Sequence, residues 1–143
     1  MASLSAMLKD SGYEVAGSDD GVYPPMSDFL AAKRICVHKG YKISNLQPEP
    51  DLIVVGNALS RGNPEIEYIL NFRLRYTSFP ECLKDFFLRD KTSIVVTGTH
   101  GKTTTTSMIS WVLHAAGLCP NFLIGGIAEN FQSQQYLSFR QSQ

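Results

Sequence analysis

The sequence predicts an α/β fold built on parallel sheet, because short strand-like runs alternate with helical ones along most of its length. The stretch Asp51-Leu52-Ile53-Val54-Val55-Gly56 is apolar on both faces, which suits a strand covered by layers on either side. The stretch Ile94-Val95-Val96-Thr97-Gly98-Thr99-His100-Gly101-Lys102-Thr103-Thr104 passes from a β-branched run through two glycines and a lysine into a helical pattern. In such sheets, ligands gather at the carboxyl ends of the strands. Function is therefore expected at Gly17-Ser18-Asp19, at Gly56-Asn57-Ala58 and in the loop 98–104.

Taken in order, Leu4, Met7 and Leu8 share one helical face, and Ser11-Gly12 stops that helix. Tyr13-Glu14-Val15-Ala16 reads as a short strand ending in a turn, Gly17-Ser18-Asp19-Asp20-Gly21. Pro24-Pro25 is stiff and extended, after which Ser27 or Asp28 can cap a helix reaching Lys33. Ile35-Cys36-Val37-His38 is a strand, and Asp51–Gly56 is another. Asn63-Pro64-Glu65 opens a helix with a capping side chain, a proline at the first position and an acid in the first turn. Ile66, Ile69, Leu70 and Leu74 supply its buried face. Tyr76-Thr77-Ser78-Phe79 is a strand, and Pro80 opens a helix carrying Leu83, Phe86, Phe87 and Leu88. Arg89-Asp90-Lys91 reads as a linker. Beyond it, Ile94–Val96 is a strand, and Met108, Ile109, Val112, Leu113 and Ala116 form an amphipathic helix closed by Gly117. Phe122-Leu123-Ile124 is a last strand ending at Gly125-Gly126.

With 143 residues, 43% of them hydrophobic and 18% charged, the chain can pack a core. Thirteen basic and thirteen acidic residues cancel, which argues against a nucleic-acid binder. Every apolar run is too short to span a membrane. The start, Met1-Ala2-Ser3-Leu4-Ser5, lacks the basic region of a secretory signal. Cys36, Cys82 and Cys119 are odd in number and outside any metal-ligand spacing. They read as reduced, partly buried thiols of a cytoplasmic protein.

The loop before the last helix has the chemistry of a phosphate cradle. Small residues let the backbone curl and aim N–H groups inward, and the positive end of the following helix faces the anion. Lys102 would reach the β/γ-phosphates, and the Thr103 hydroxyl would ligand Mg²⁺. The general P-loop pattern requires glycine where this chain has Val96; the glycine stands at Gly98 instead, giving T-G-T-H-G-K-T-T. His100, inside the loop, either touches nucleotide or fits the turn. Asp19 can hold a ribose hydroxyl, but Gly17-Ser18-Asp19-Asp20 reads equally well as a plain turn. Gly56-Asn57-Ala58 is open in the same way between a ligand loop and a simple connection. His38 and His114 read as structural or solvated, and Trp111 as core.

The loop's shortened form resembles that of the muramyl ligase superfamily, whose members use ATP to join an amino acid or peptide to a UDP-linked muramyl substrate. Ala16-Gly17-Ser18-Asp19-Asp20-Gly21-Val22-Tyr23-Pro24-Pro25-Met26-Ser27 and Val54-Val55-Gly56-Asn57-Ala58-Leu59-Ser60-Arg61-Gly62-Asn63-Pro64-Glu65 are similar to one branch of it. That branch reattaches the tripeptide L-Ala-γ-D-Glu-meso-diaminopimelate to UDP-N-acetylmuramate in cell-wall recycling. The similarity runs from Met1 to about Asn130. It implies a Rossmann-like UDP-sugar domain over residues 1–88 and the start of a P-loop α/β ATPase domain over 89–143. It further implies UDP-sugar contacts from Ser18, Asp19, Asn57 and Ala58. ATP contacts would come from Gly98, Thr99, His100, Gly101, Lys102, Thr103 and Thr104, with Lys102 catalytic and Thr103 on Mg²⁺. ATP would phosphorylate the muramyl carboxylate, and the tripeptide amine would displace phosphate.

The family pattern also has an opening strand with a G-x-x-G loop, downstream Mg²⁺-binding acids and a third domain. Here Met1 stands where that loop ends, and after Asn130 the residues Phe131-Gln132-Ser133-Gln134-Gln135 drift into a polar tail. The expectation is thus a Rossmann-like sheet without its first strand, and a ligase fragment inactive on its own. The rivals are a UDP-N-acetylmuramate–L-alanine ligase and a nucleotide-binding remnant without catalysis.

Overall fold

The computed structural model describes residues 1–124. The chain divides into two compact units at Thr92/Ser93. The first unit begins with helix α1 (Ala2–Asp10), strand β1 (Ala16–Asp19), helix α2 (Met26–Ala32) and strand β2 (Cys36–Lys39). A 3₁₀ turn (Ile43–Leu46) precedes strand β3 (Ile53–Val55), helix α3 (Pro64–Asn71) and strand β4 (Tyr76–Ser78). Helix α4 (Phe79–Leu83) then runs into a π turn (Lys84–Leu88). The second unit contains helix α5 (Lys102–Ala115).

The expected parallel pairing is present, but it is split. β1 pairs with β2, Ala16 opposite Cys36 through Asp19 opposite Lys39. β3 pairs with β4, Ile53 opposite Tyr76 through Val55 opposite Ser78. These are separate two-stranded sheets. Each pair is joined by a helix-containing crossover, as parallel strands require.

Helix ends follow local rules. Asn63 caps α3, its Oδ1 accepting from the N–H groups of Glu65 and Ile66 at 3.0 and 3.2 Å. Ser78 and Glu81 form a reciprocal capping box on α4. α1 and α5 close over glycines at positive φ, Gly12 at 93° and Gly117 at 80°. α2 and α3 close in the same way over arginines: Ile35 N–H reaches Leu30 O and Leu74 N–H reaches Ile69 O. Arg34 and Arg73 take φ of 54° and 55° to allow it. This closure stops α3 at Asn71, so Leu74 lies beyond the helix that was expected to include it.

Several boundaries differ from expectation. The first strand is Ala16–Asp19 and not Tyr13–Ala16, so Gly17, Ser18 and Asp19 are strand and not turn. Glycine, serine and aspartate are poor strand formers; their ladder to Val37, His38 and Lys39 overrides that preference. Pro25 occupies the position before α2, with no side-chain cap, and Ser27 and Asp28 fall inside the helix. The residues Ile94–Val96 form no strand, nor do Phe122–Ile124. A strand exists through its ladder, and neither segment has one among the described residues. The expected strand end at Gly125-Gly126, Asn130 and the polar tail lie outside the described residues.

Leu4, Ala6, Met7, Leu30, Ile35, Leu46, Ile69, Cys82 and Phe87 form the buried apolar set, all within the first unit. The Lys33 ammonium meets the Asp10 carboxylate at 2.7 Å, pinning α2 to α1. In the second unit Met108 and Val112 of α5 are 64% exposed, while Ile109 and Leu113 are half-buried. Trp111, expected in the core, is 44% exposed and its ring lies 5.9 Å from that of His114. Among the described residues no helix is long and apolar enough to cross a membrane.

Candidate functional site

The candidate residues gather at strand ends and at one helix start. Ser18 and Asp19 are the last two residues of β1. The Asp19 carboxylate accepts from the Gly21 N–H at 2.9 Å, and its carbonyl accepts from Gly40 N–H at 2.9 Å. The first bond turns the chain just past the end of β1. A cavity of about 390 Å³ opens here between the ends of β1 and β2 and α2. Leu30, Ile35 and Val37 contribute apolar lining, and Asp19, Asp20 and Lys39 contribute charge.

Ser18 belongs to a polar chain that sequence reading did not foresee. The two amide protons of Asn45, on the 3₁₀ turn, are shared among Glu65 Oε1 at 2.8 Å, Gly40 O at 2.9 Å and Ser18 Oγ at 3.2 Å. The same Glu65 oxygen accepts from Lys42 N–H at 3.0 Å. Glu65 is buried, at 7% exposure. Burying a carboxylate is costly unless it is hydrogen-bonded, and these two donors meet that cost. The sequence marked Glu65 only as a first-turn acid, because its partners lie 20 and 23 residues away. Burial, with the carboxylates of Asp19, Asp20 and Glu65, pushes the Tyr41 phenol above its ordinary range.

Asn57 and Ala58 form an exposed turn after β3, at the carboxyl end of the second sheet. Among the described residues no ladder joins this sheet to β1 and β2. The two halves of the expected sugar-nucleotide site thus stand on separate sheets of one unit.

The loop of the second unit leads straight into α5. Gly101 occupies the position before the helix at φ 77°, and no side chain caps the first turn. The leading N–H groups of a helix have no partner within it. Gly98 takes φ 150°. Lys102 Nζ donates to Gly98 O at 2.5 Å and to Thr99 O at 3.1 Å. His100, Thr103 and Thr104 are exposed. The loop therefore combines a cation, hydroxyls and an uncapped helix start, which is a donor set suited to an oligophosphate. Among the described residues no group of His, Cys, Asp or Glu is assembled to hold a metal. Cys36, Cys82 and Cys119 are free thiols, only Cys82 being buried. Burial and the charge of Asp85 raise the Cys82 pKa.

This arrangement has close counterparts. The model of the Mur ligase family catalytic domain matches residues 1–91, and that of the Mur ligase middle domain matches residues 96–140. The chain belongs to the Mur ligase family, as its loop and strand-end motifs implied. It is 53% identical over 131 residues to the UDP-N-acetylmuramate–L-alanyl-γ-D-glutamyl-meso-2,6-diaminoheptandioate ligase of Haemophilus influenzae, covering 92% of this chain and 29% of that protein. The ligase of the same name from Escherichia coli is 46% identical over 137 residues, covering 96% of this chain and 30% of its own length. The crystal structure of the corresponding ligase from Neisseria meningitidis superposes with a TM-score of 0.88 at 47% identity, over 92% of this chain and 41% of that one. The chain thus spans under a third of the curated relatives it matches.

Proposed function

We propose that this chain supplies the sugar-nucleotide-binding part and the opening of the ATP-binding part of an ATP-dependent ligase. The reaction joins L-Ala-γ-D-Glu-meso-diaminopimelate to UDP-N-acetylmuramate. The observation that carries the reading is the 98–104 loop at the uncapped start of α5, with Lys102 inside it. Gly98, Thr99, His100, Gly101, Lys102, Thr103 and Thr104 would bind ATP, with the Thr103 hydroxyl on Mg²⁺. Bound Mg²⁺ would offset phosphate charge. The ammonium of Lys102 and the first-turn N–H groups would stabilise charge on the transferring phosphoryl group. Ser18, Asp19, Asn57 and Ala58 would hold the UDP-sugar at the strand ends.

Residues 1–88 would form the Rossmann-like sugar-nucleotide domain and residues 89–143 the start of a P-loop ATPase domain. The division into units at Thr92/Ser93 supports that partition. The tripeptide is preferred as amine substrate because the curated relatives described above carry it in their names. An enzyme using ATP and carrying free cysteines would work in the cytoplasm.

A chimera tests the reading. Residues 1–124 replace the matching segment of the Haemophilus influenzae ligase, and ATP-dependent product formation is followed with the tripeptide and with L-alanine. Product with the tripeptide is expected; product with L-alanine alone would shift the assignment to the L-alanine ligases. ATP binding without product from either amine would support a nucleotide-binding remnant. The 143 residues alone are expected to release no phosphate from ATP.

A further inference from the structure

We propose that Glu65 is a positioning residue for the sugar-nucleotide site, acting through Asn45 on the Ser18 hydroxyl. The inference rests on the reading of Ser18, Asp19, Asn57 and Ala58 as the residues that hold the UDP-sugar. No ladder among the described residues sets the spacing between β1 and β3. The Ser18–Asn45–Glu65 chain crosses that gap. Ser18 closes β1, Asn45 rides on the 3₁₀ turn after β2, and Glu65 sits in the first turn of α3, which follows the Asn57-Ala58 loop. Both ends of Glu65 are fixed: its N–H is held by Asn63 Oδ1, and its buried Oε1 takes two donors.

The chain also sets the polarity of Ser18. Its oxygen accepts from the Asn45 amide, which leaves the hydroxyl proton to donate to a ligand oxygen. The role needs an acceptor at Oε1 and not a negative charge, because both donors converge on that one oxygen. Glutamine can supply such an oxygen; leucine cannot.

The test titrates the chimeric ligase that carries residues 1–124 with UDP-N-acetylmuramate by calorimetry, with MgATP as a control ligand for the other unit. Glu65→Leu and Asn45→Ala are each expected to weaken UDP-N-acetylmuramate binding by about fivefold, the loss of roughly one hydrogen bond. Glu65→Gln should stay within about twofold of the otherwise unsubstituted chimera, and MgATP affinity should not change in any variant. In a Ser18→Ala background, Asn45→Ala should cost nothing further, since its effect passes through that hydroxyl. A purely structural role would make the two losses add, and that result overturns the inference. So does unchanged binding in Asn45→Ala, which decides the matter if Glu65→Leu fails to fold. A Glu65→Gln loss as large as that of Glu65→Leu also overturns it. Absence of any binding by the otherwise unsubstituted chimera would instead overturn the sugar-nucleotide reading itself, and the inference with it.

Discussion

The ammonium of Lys102 bonds to the carbonyl oxygen of Gly98, four residues before it, and bridges to that of Thr99. The side chain is exposed and supports no core. In the chimeric ligase, Lys102→Ala is therefore expected to leave the unfolding midpoint nearly unchanged while lowering kcat by about 10²–10³, the usual cost of losing one charge-stabilising donor. Steady-state kinetics beside a thermal melt read both quantities. Retention of most of the rate would remove the loop from the chemistry.

Gly101 separates conformation from space. A Cβ added there meets nothing within 4 Å, yet its φ is 77°. Gly101→Ala therefore costs only the left-handed penalty, about 1–2 kcal/mol. The folded-to-unfolded ratio, measured by urea unfolding, should fall by a factor of roughly 5–30. Gly101→Asn should fall less, because asparagine tolerates this region better. Equal losses from both substitutions would contradict the argument.

Asn63 holds two first-turn N–H groups of α3. Asn63→Ala should lower stability by about 1 kcal/mol, read as a shifted urea midpoint at unchanged slope. Asn63→Asp, which keeps the acceptor, should be close to neutral.

The capping box gives a signed pH dependence. Hydrogen bonds from Ser78 hold the Glu81 carboxyl below its ordinary value of 4.5. A pKa lowered by folding means that the contribution is fully present above the unfolded value and is lost as pH falls through the folded one. Comparison of Glu81→Gln with the unsubstituted chain should show a stability difference that is constant above about pH 4.5 and shrinks at lower pH. A difference that grows on acidification would reverse the assignment.

Uncovered apolar surface should also be measurable. Val95 is 79% exposed, Ile94 61%, and Met108 and Val112 64% each. β1 and β3 each pair on one side only among the described residues. The 143-residue chain is expected to enhance the fluorescence of a hydrophobic dye and to aggregate on concentration. A monomeric chain that leaves the dye dark and unfolds in one cooperative step would refute this.

The sequence by itself determined what local chemistry can decide. Asn63-Pro64-Glu65 starts α3 as its capping pattern requires, and Gly12 and Gly117 end α1 and α5. The Gly98–Thr104 motif leads into a helix, which the helical spacing of Met108, Ile109, Val112 and Leu113 announces despite the poor helix formers Thr103–Thr106. Family membership was legible for the same reason, in the blocks around Tyr23-Pro24-Pro25-Met26 and Gly56-Asn57-Ala58. Only tertiary structure decided the rest. Arg34 and Arg73 adopt a left-handed φ with no glycine to announce it. Gly17-Ser18-Asp19 is drawn into β1 by β2, against its own preference, while Ile94–Val96 has strand preference but no ladder. Glu65 became a buried hub only when Lys42 and Asn45 were folded onto it. A cap or a turn is settled within a few residues, whereas a ladder or a buried carboxylate needs partners that folding must bring from far along the chain.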